Sequence, residues 1–294
     1  MRTLLVTAAT LCALAAPAMA QQDPAADQAD VVIIAPEQRD KQIRDYVRAL
    51  ANVPGRDPMA RFDRTTVCPG AVGLSAARNA EIAARMRVVA KAAGIAVSDK
   101  ADCKPNALVI FAADKEAMVA ALEKAHPVYF RDAYGTPIRT PKQAGPATAW
   151  HLEGRLDRSG TPVAYNADTS QYELNSPLPP SRTSSTMRPI FIAAVVVIQL
   201  DAAIGLTPVQ LADYAAMRTL AQTDPEKVKG VSAPTILTIL DAPDDAEVPV
   251  TLTKWDLGYL RGLYAAAPMR SAATQRDEIK REIAGDLDTA AGGK

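Results

Sequence analysis

The chain has 294 residues, of which 48% are hydrophobic and 22% charged, and its 33 basic and 33 acidic side chains leave no net charge. This length and apolar content suffice for one large domain or two small ones with a buried core, which excludes a disordered chain. The balanced charge, without a basic stripe, excludes a nucleic-acid-binding protein, because phosphate backbones are held by clustered lysines and arginines.

The first twenty residues have the pattern of a cleavable secretory signal. Arg2 precedes an apolar run from Leu4 to Ala16, and Ala18-Met19-Ala20 supplies the small residues of a cleavage site. We therefore expect residues 1–20 to be a signal peptide and the mature protein to be periplasmic or secreted. Since no later segment reaches the roughly 20 apolar residues of a spanning helix, no transmembrane segment is expected in the mature chain.

Two cysteines remain after the signal, Cys68 and Cys103, because Cys12 lies within it. Outside the cytoplasm thiols oxidise, so we expect these two to form a disulfide. A redox-active pair is the alternative, but it would favour Cys-x-x-Cys spacing, whereas these residues are 35 positions apart. Closing a loop of that size stabilises a fold by about 3 to 4 kcal/mol in the chain-entropy model.

The next residues predict an N-terminal α/β lobe over residues 31–156, preceded by a flexible leader at 21–30. Val31–Ile34 is predicted as a strand, although a β-branched run just after a signal also resembles the TonB-box segment of outer-membrane receptors and their associates. Apolar spacing, proline and glycine place the other elements of the lobe. These are helices over 36–51, 75–93 and 115–125 and strands over 107–112 and 147–156.

The second part of the chain opens with a polar stretch at 157–189, predicted as a long loop, hairpin or flap. A helical half over 190–285 follows, in which the apolar run Ile190–Leu200 predicts a central strand buried on both faces. Capping boxes at Thr207 and Thr253 begin two helices, and a last helix over 272–284 precedes a disordered tail at 286–294. The whole pattern predicts an α+β fold with a mixed sheet and packed helices.

The motif search yields no cofactor and no metal site, because the chain lacks Gly-x-Gly-x-x-Gly, a P-loop, His-Glu-x-x-His and an EF-hand loop. It contains two histidines. Of these, His151 is the better candidate for acid or base catalysis, since it lies on a predicted strand near Glu153.

The order of elements from Ile190 onward resembles the catalytic half of the zincin metalloproteases: a strand, a long helix, a loop with a turn and a further helix. That further helix carries the pattern Leu-x-x-x-Asp-x-x-x-Leu-x-x-Leu-Tyr over residues 252–264, and the expected metal helix is 211–221. The whole chain also resembles uncharacterised exported proteins of Gram-negative bacteria, through its Val-Cys-Pro-Gly turn at 67–70 and its Ala-Asp-Tyr-Ala-Ala-Met-Arg-Thr-Leu-Ala helix at 212–221.

In one register of the zincin resemblance, Tyr214 and Arg218 stand at the two metal-ligand positions and Ala215 at the general base. Other registers place alanines, or Asp213 and Met217, at the ligand positions. Arginine is not deprotonated in proteins and alanine has no ligand atom, so the resemblance implies a zincin-like half without its metal, that is, a pseudoenzyme.

The favoured function is therefore a non-catalytic binding or interaction module of the cell envelope, whose partner is an envelope protein or a peptide. Asp213, Tyr214 and Arg218 are the candidate binding residues. In the functional interpretation Arg218, one turn from Tyr214, meets an anionic group such as a peptide carboxylate. In the structural interpretation these polar groups bond only to neighbouring residues.

The alternative function is a periplasmic hydrolase that uses His151 with aspartate or glutamate partners, with the flap at 157–189 closing over the site. A carboxylate within about 4 Å of His151, beside a pocket against the Thr207 helix, would favour this alternative.

Overall fold

The computed structural model describes residues 36–292 except 52, 54–55, 64, 101, 139–142, 167, 170, 175–183 and 244–245. The predicted signal, the leader and the segment Val31–Ile34 lie outside the described residues. The helices and strands are α1 (Pro36–Leu50), β1 (Pro69–Val72), α2 (Ala76–Ala92), β2 (Ala107–Ala112), α3 (Lys115–Ala125), β3 (Ala147–Asp157), β4 (Ala164–Asn166), β5 (Gln171–Glu173), β6 (Met187–Gln199), α4 (Pro208–Leu220), α5 (Pro225–Val228), α6 (Lys254–Ala265) and α7 (Ala272–Gly292).

A four-stranded mixed sheet organises the fold, with the strand order β1-β2-β6-β3. β1, β2 and β6 run parallel, whereas β3 pairs antiparallel with β6 and forms one edge of the sheet. The predicted α+β class with a mixed sheet is confirmed. Because β6 lies between β2 and β3, the predicted N-terminal lobe and helical half share one sheet and do not form separate layers.

β6 is the central strand that its apolar sequence predicts. Ala194, Val196 and Ile198 face the helices α1, α2, α4, α6 and α7, while Val195 and Val197 face α3 on the other side. Side chains alternate between the two faces of a strand, so a strand covered on both faces has an almost wholly apolar sequence. The register shifts between Leu152 and Glu153 of β3, where β6 contributes one extra residue.

The predicted helix starts and the predicted disulfide are confirmed. Capping boxes begin α4 at Thr207 and α6 at Thr253, and the Asp114 side chain caps α3. Cys68 and Cys103 form a disulfide that joins the start of β1 to the loop before β2. None of the described helices is both long enough and apolar enough to cross a membrane.

Two boundaries differ from the sequence prediction. The last helix does not end at residue 284, because Ile279, Ile283 and Leu287 continue its apolar stripe onto the core, so residues 286–292 are helical and not a disordered tail. The polar stretch 157–189 is also more regular than a loop. β3 and β6 extend into it through the pair Asp157 and Met187, and it contains the antiparallel hairpin of β4 and β5, which is one of the forms predicted for it.

Candidate functional site

A cleft of about 600 Å³ runs along the outer edge of β3, on the side away from β6. Its walls come from the loop at 132–138, from Tyr172 on β5 and from residues 222–224 just after α4. Of the predicted catalytic candidates, both His151 and Glu153 line it. The volume lies within the range of about 300–1,000 Å³ that is usual for ligand pockets.

Neighbouring groups cover part of the outer edge of β3. The Gln143 side chain binds Ala149 like a strand residue: its Nε2 donates to the Ala149 carbonyl at 2.6 Å, and its Oε1 accepts from the Ala149 N–H at 3.0 Å. Farther along the strand, the Ala133 N–H donates to the Glu153 carbonyl at 2.8 Å. These two contacts leave His151 between them.

The backbone of His151 faces the cleft. Its partner across the antiparallel pair is Ala194, whose N–H donates to the Asn106 carbonyl at 2.7 Å on the β2 side. In an antiparallel ladder, two directly opposite residues either exchange backbone hydrogen bonds or have their N–H and C=O groups pointing away from each other. The N–H and C=O of His151 therefore point outward, and none of the described residues bonds to either group.

The His151 side chain is held neutral. Its ring lies 4.2 Å from the Phe191 ring between centroids, and its buried Nε2 has no hydrogen-bond partner within the described parts of the chain. Burial, and after it the positive charge of Arg218, lower the pKa of His151 to about 3, while the Thr219 backbone acts in the opposite direction. At neutral pH this side chain is an uncharged imidazole.

This shift predicts a pH effect on stability. Because the pKa of His151 lies below its ordinary value of 6.5, the unfolded chain binds more protons between pH 6.5 and 3. The stability from the neutral ring is thus fully present above pH 6.5 and is lost as the pH falls towards 3. Between pH 7.5 and pH 5, we expect the wild type to lose about 2 kcal/mol more unfolding free energy than His151→Gln in urea titrations.

The control for this experiment is His126→Gln, which removes the other, exposed histidine. It should keep the pH dependence of the wild type. Equal pH dependence in His151→Gln and the wild type would show that the His151 ring ionises as readily in the folded protein as in the unfolded chain.

Glu153 does not pair with His151. Its Oε1 accepts a hydrogen bond from Gln222 Nε2, and burial raises its pKa. Across the described ranges, no carboxylate forms an ion pair or hydrogen bond with the His151 ring. The carboxylate neighbour that would favour a hydrolase is therefore not seen at His151, although His151 and Glu153 share the cleft.

The predicted binding residues separate into two places. Arg218 is 1% exposed and lies behind Gln143: its Nη1 donates to the Tyr214 hydroxyl at 2.8 Å and its Nη2 donates to Gln143 Oε1. Asp213 lies elsewhere, with its carboxylate accepting two hydrogen bonds from Arg85 at 2.7 and 2.9 Å and one from Thr251 at 2.7 Å. Arg218 and Tyr214 thus adjoin the cleft through Gln143, whereas Asp213 fastens α4 to α2.

Sequence reasoning does not find the remaining parts of the site. A cluster of three tyrosines stands at one wall, where the ring centroids of Tyr134, Tyr165 and Tyr172 are 5.1 to 5.7 Å apart, and the Arg155 guanidinium lies 4.9 Å from the centroid of Tyr172. Gln143 is also missed. Apart from Arg155, which lies on the strand predicted over 147–156, these residues lie in segments without periodicity, so only the polar stretch predicted at 157–189 pointed to part of this wall.

Neither candidate metal ligands nor comparisons with known proteins assign a function to this cleft. Among the residues that the structure describes, no group of three His, Cys, Asp or Glu side chains could hold a metal ion. No family model, curated protein or solved structure matches the chain.

Proposed function

We propose that this protein is an exported, non-catalytic binding module of the cell envelope that takes a short polypeptide segment along the outer edge of β3. The observation that carries the proposal is the pair of outward-facing backbone groups of His151 inside a cleft. An extended peptide adds to a free strand edge through its own N–H and C=O groups, and adjacent pockets then select its side chains.

The length of the free edge supports a short ligand. Gln143 occupies the edge at Ala149, and Ala133 occupies the Glu153 carbonyl, so the stretch of the edge that no described residue covers is centred on His151. A long strand added to this edge would meet both neighbours. A segment of a few residues fits between them, with the tyrosine cluster and residues 222–224 as walls.

Export and a zincin-like architecture without its metal are part of the same proposal. The residue pattern of 1–20 supports export, and the Cys68–Cys103 disulfide is the kind of bond that forms in an oxidising compartment. The chain order β6, α4, α6 supports the resemblance from Ile190 onward. In the register considered above, Tyr214 and Arg218 at the ligand positions bond to each other.

A periplasmic hydrolase remains the second candidate, because His151 and Glu153 line the same cleft. A base whose conjugate acid has a pKa of about 3 accepts protons poorly near neutral pH. Binding therefore agrees better with the state of His151 than proton transfer does. Peptide hydrolysis by the wild type that is abolished in His151→Gln would favour the hydrolase over the binding module.

The test of the binding proposal removes a single backbone donor. Proline is tolerated on an edge strand where its missing N–H would face outward, so His151→Pro deletes the donor that faces the cleft, while the control His151→Val deletes only the imidazole. We expect fluorescein-labelled random hexapeptides to bind His151→Pro at least tenfold more weakly than His151→Val, since a hydrogen bond and the fit along the edge are both lost.

Fluorescence anisotropy gives the affinities, and circular dichroism checks that both variants are folded. Equal affinity of His151→Pro and His151→Val would show that the peptides do not pair with this edge. The absence of binding to the wild type at millimolar peptide would remove the proposal.

A further inference from the structure

Arg218 is a buried cation without an anionic partner in the described structure. Its side chain is 1% exposed, its two hydrogen-bond acceptors are the neutral groups of Tyr214 and Gln143, and its Nε has no acceptor there. Burial, and after it the charges of Asp241 and Asp224, raise the pKa of Tyr214, yet neither aspartate forms an ion pair with Arg218 in the described structure. Buried charges are normally paired, because an unpaired charge away from water is unfavourable.

Gln143 connects this cation to the edge of β3. Its Oε1 accepts hydrogen bonds from both Arg218 Nη2 and the Ala149 N–H. Lys115, itself 3% exposed, fixes the adjoining backbone by donating to the Gln143 and Gly145 carbonyls at 3.0 and 2.6 Å. A neutral amide oxygen thus occupies the position between a guanidinium and a backbone donor where a carboxylate oxygen would form charge-assisted hydrogen bonds.

We infer that the polypeptide bound in the cleft ends there, and that its C-terminal carboxylate replaces the Gln143 amide oxygen on Arg218 and the Ala149 N–H. This inference rests on the proposed function. The last residues of the ligand then pair with the outward N–H and C=O of His151. The carboxylate supplies the missing partner of Arg218.

Two features favour a chain terminus over an acidic side chain. A chain that continued past Ala149 would meet the segment that carries Gln143, whereas a chain that stops there would not. The cleft is also lined by Asp132, Glu153 and Asp224, which disfavour carboxylates elsewhere along the ligand. His151 is neutral, and the cation Arg155 lies over the Tyr172 ring at the tyrosine cluster, so Arg218 is the cation that adjoins the edge at Ala149 through Gln143.

The first experiment compares three pools of fluorescein-labelled random hexapeptides on the wild-type protein by anisotropy: free C-terminal acids, C-terminal amides, and amides with one internal aspartate. We expect the acids to bind at least tenfold more tightly than either amide pool. Equal binding of acids and plain amides would overturn the inference and leave the peptide-binding function standing. Equal binding of acids and aspartate-containing amides would overturn the terminal assignment. Binding of no pool would remove both proposals.

The second experiment places the carboxylate on the protein itself, at position 143. In Gln143→Glu, the new side chain should pair with Arg218 and reduce the preference for acids over amides to less than twofold, while the Ala149 carbonyl loses the Nε2 donor, so no gain in stability is expected. Thr136→Glu is the matched control, because it adds the same charge at an exposed position of the cleft. It should keep the preference for acids. A preference retained in Gln143→Glu would overturn the assignment to Arg218.

Discussion

Replacing Asp256 by alanine is expected to lower the free energy of unfolding by about 3 kcal/mol or more. This carboxylate is fully buried and accepts hydrogen bonds from four partners: the Tyr46 hydroxyl at 2.7 Å, the Thr235 hydroxyl at 2.6 Å, the Ile236 N–H at 2.9 Å and the Thr253 N–H at 3.1 Å. An alanine side chain accepts none of these hydrogen bonds, so the backbone N–H groups of Ile236 and Thr253 would be left unsatisfied inside the core.

Urea unfolding followed by circular dichroism measures this effect. Asp277→Ala is the matched control, since that side chain is 68% exposed and its ion pair with Lys280 lies at the surface. We expect the control to change stability by less than about 0.5 kcal/mol. A loss below about 1 kcal/mol in Asp256→Ala would mean that the donors now bonded to Asp256 find other acceptors.

Removing the disulfide is the second change with a large expected effect. The double variant Cys68→Ser, Cys103→Ser should lose about 3 to 4 kcal/mol of unfolding free energy, because the oxidised chain has a smaller conformational entropy when unfolded. The bond closes a loop with a sequence separation of 35 residues, which includes all of β1 and α2.

Guanidinium titrations with and without dithiothreitol provide the measurement and its control. The reductant should lower the stability of the wild type to that of the double variant and leave the double variant unchanged. An unchanged wild type in its reduced, alkylated form would show that the surrounding contacts hold these strands without the bond.

The features that the sequence predicts correctly depend on local chemistry. The Thr207 and Thr253 capping boxes are confirmed because a cap joins residues three positions apart. The strand at Ile190–Leu200 is recognisable because burial on both faces requires continuous apolar residues. Cys68 and Cys103 are paired by elimination, since the predicted mature chain contains no other cysteine.

The features that the sequence does not predict depend on distant partners. The capping-box pattern identifies Asp256 as the partner of Thr253, but no residue near Asp256 indicates the hydrogen bond from Tyr46, 210 positions away. Likewise, a single glutamine in an irregular segment gives no sign that Gln143 covers a strand edge and an arginine. The placement of β6 between β2 and β3 is equally invisible in any local pattern.

That placement of β6 sets the order in which the protein can fold. β2 and β3 precede β6 in the chain and do not pair with each other. The edge of each strand that faces β6 therefore stays unpaired until Met187–Gln199 is available. Sheets that depend on partners far apart in sequence form slowly, and exposed edges in the meantime invite aggregation. Until Met187–Gln199 is available, the pair of this sheet that can form among the described strands is that of β1 and β2, so assembly of the four-stranded sheet follows the synthesis of residue 199.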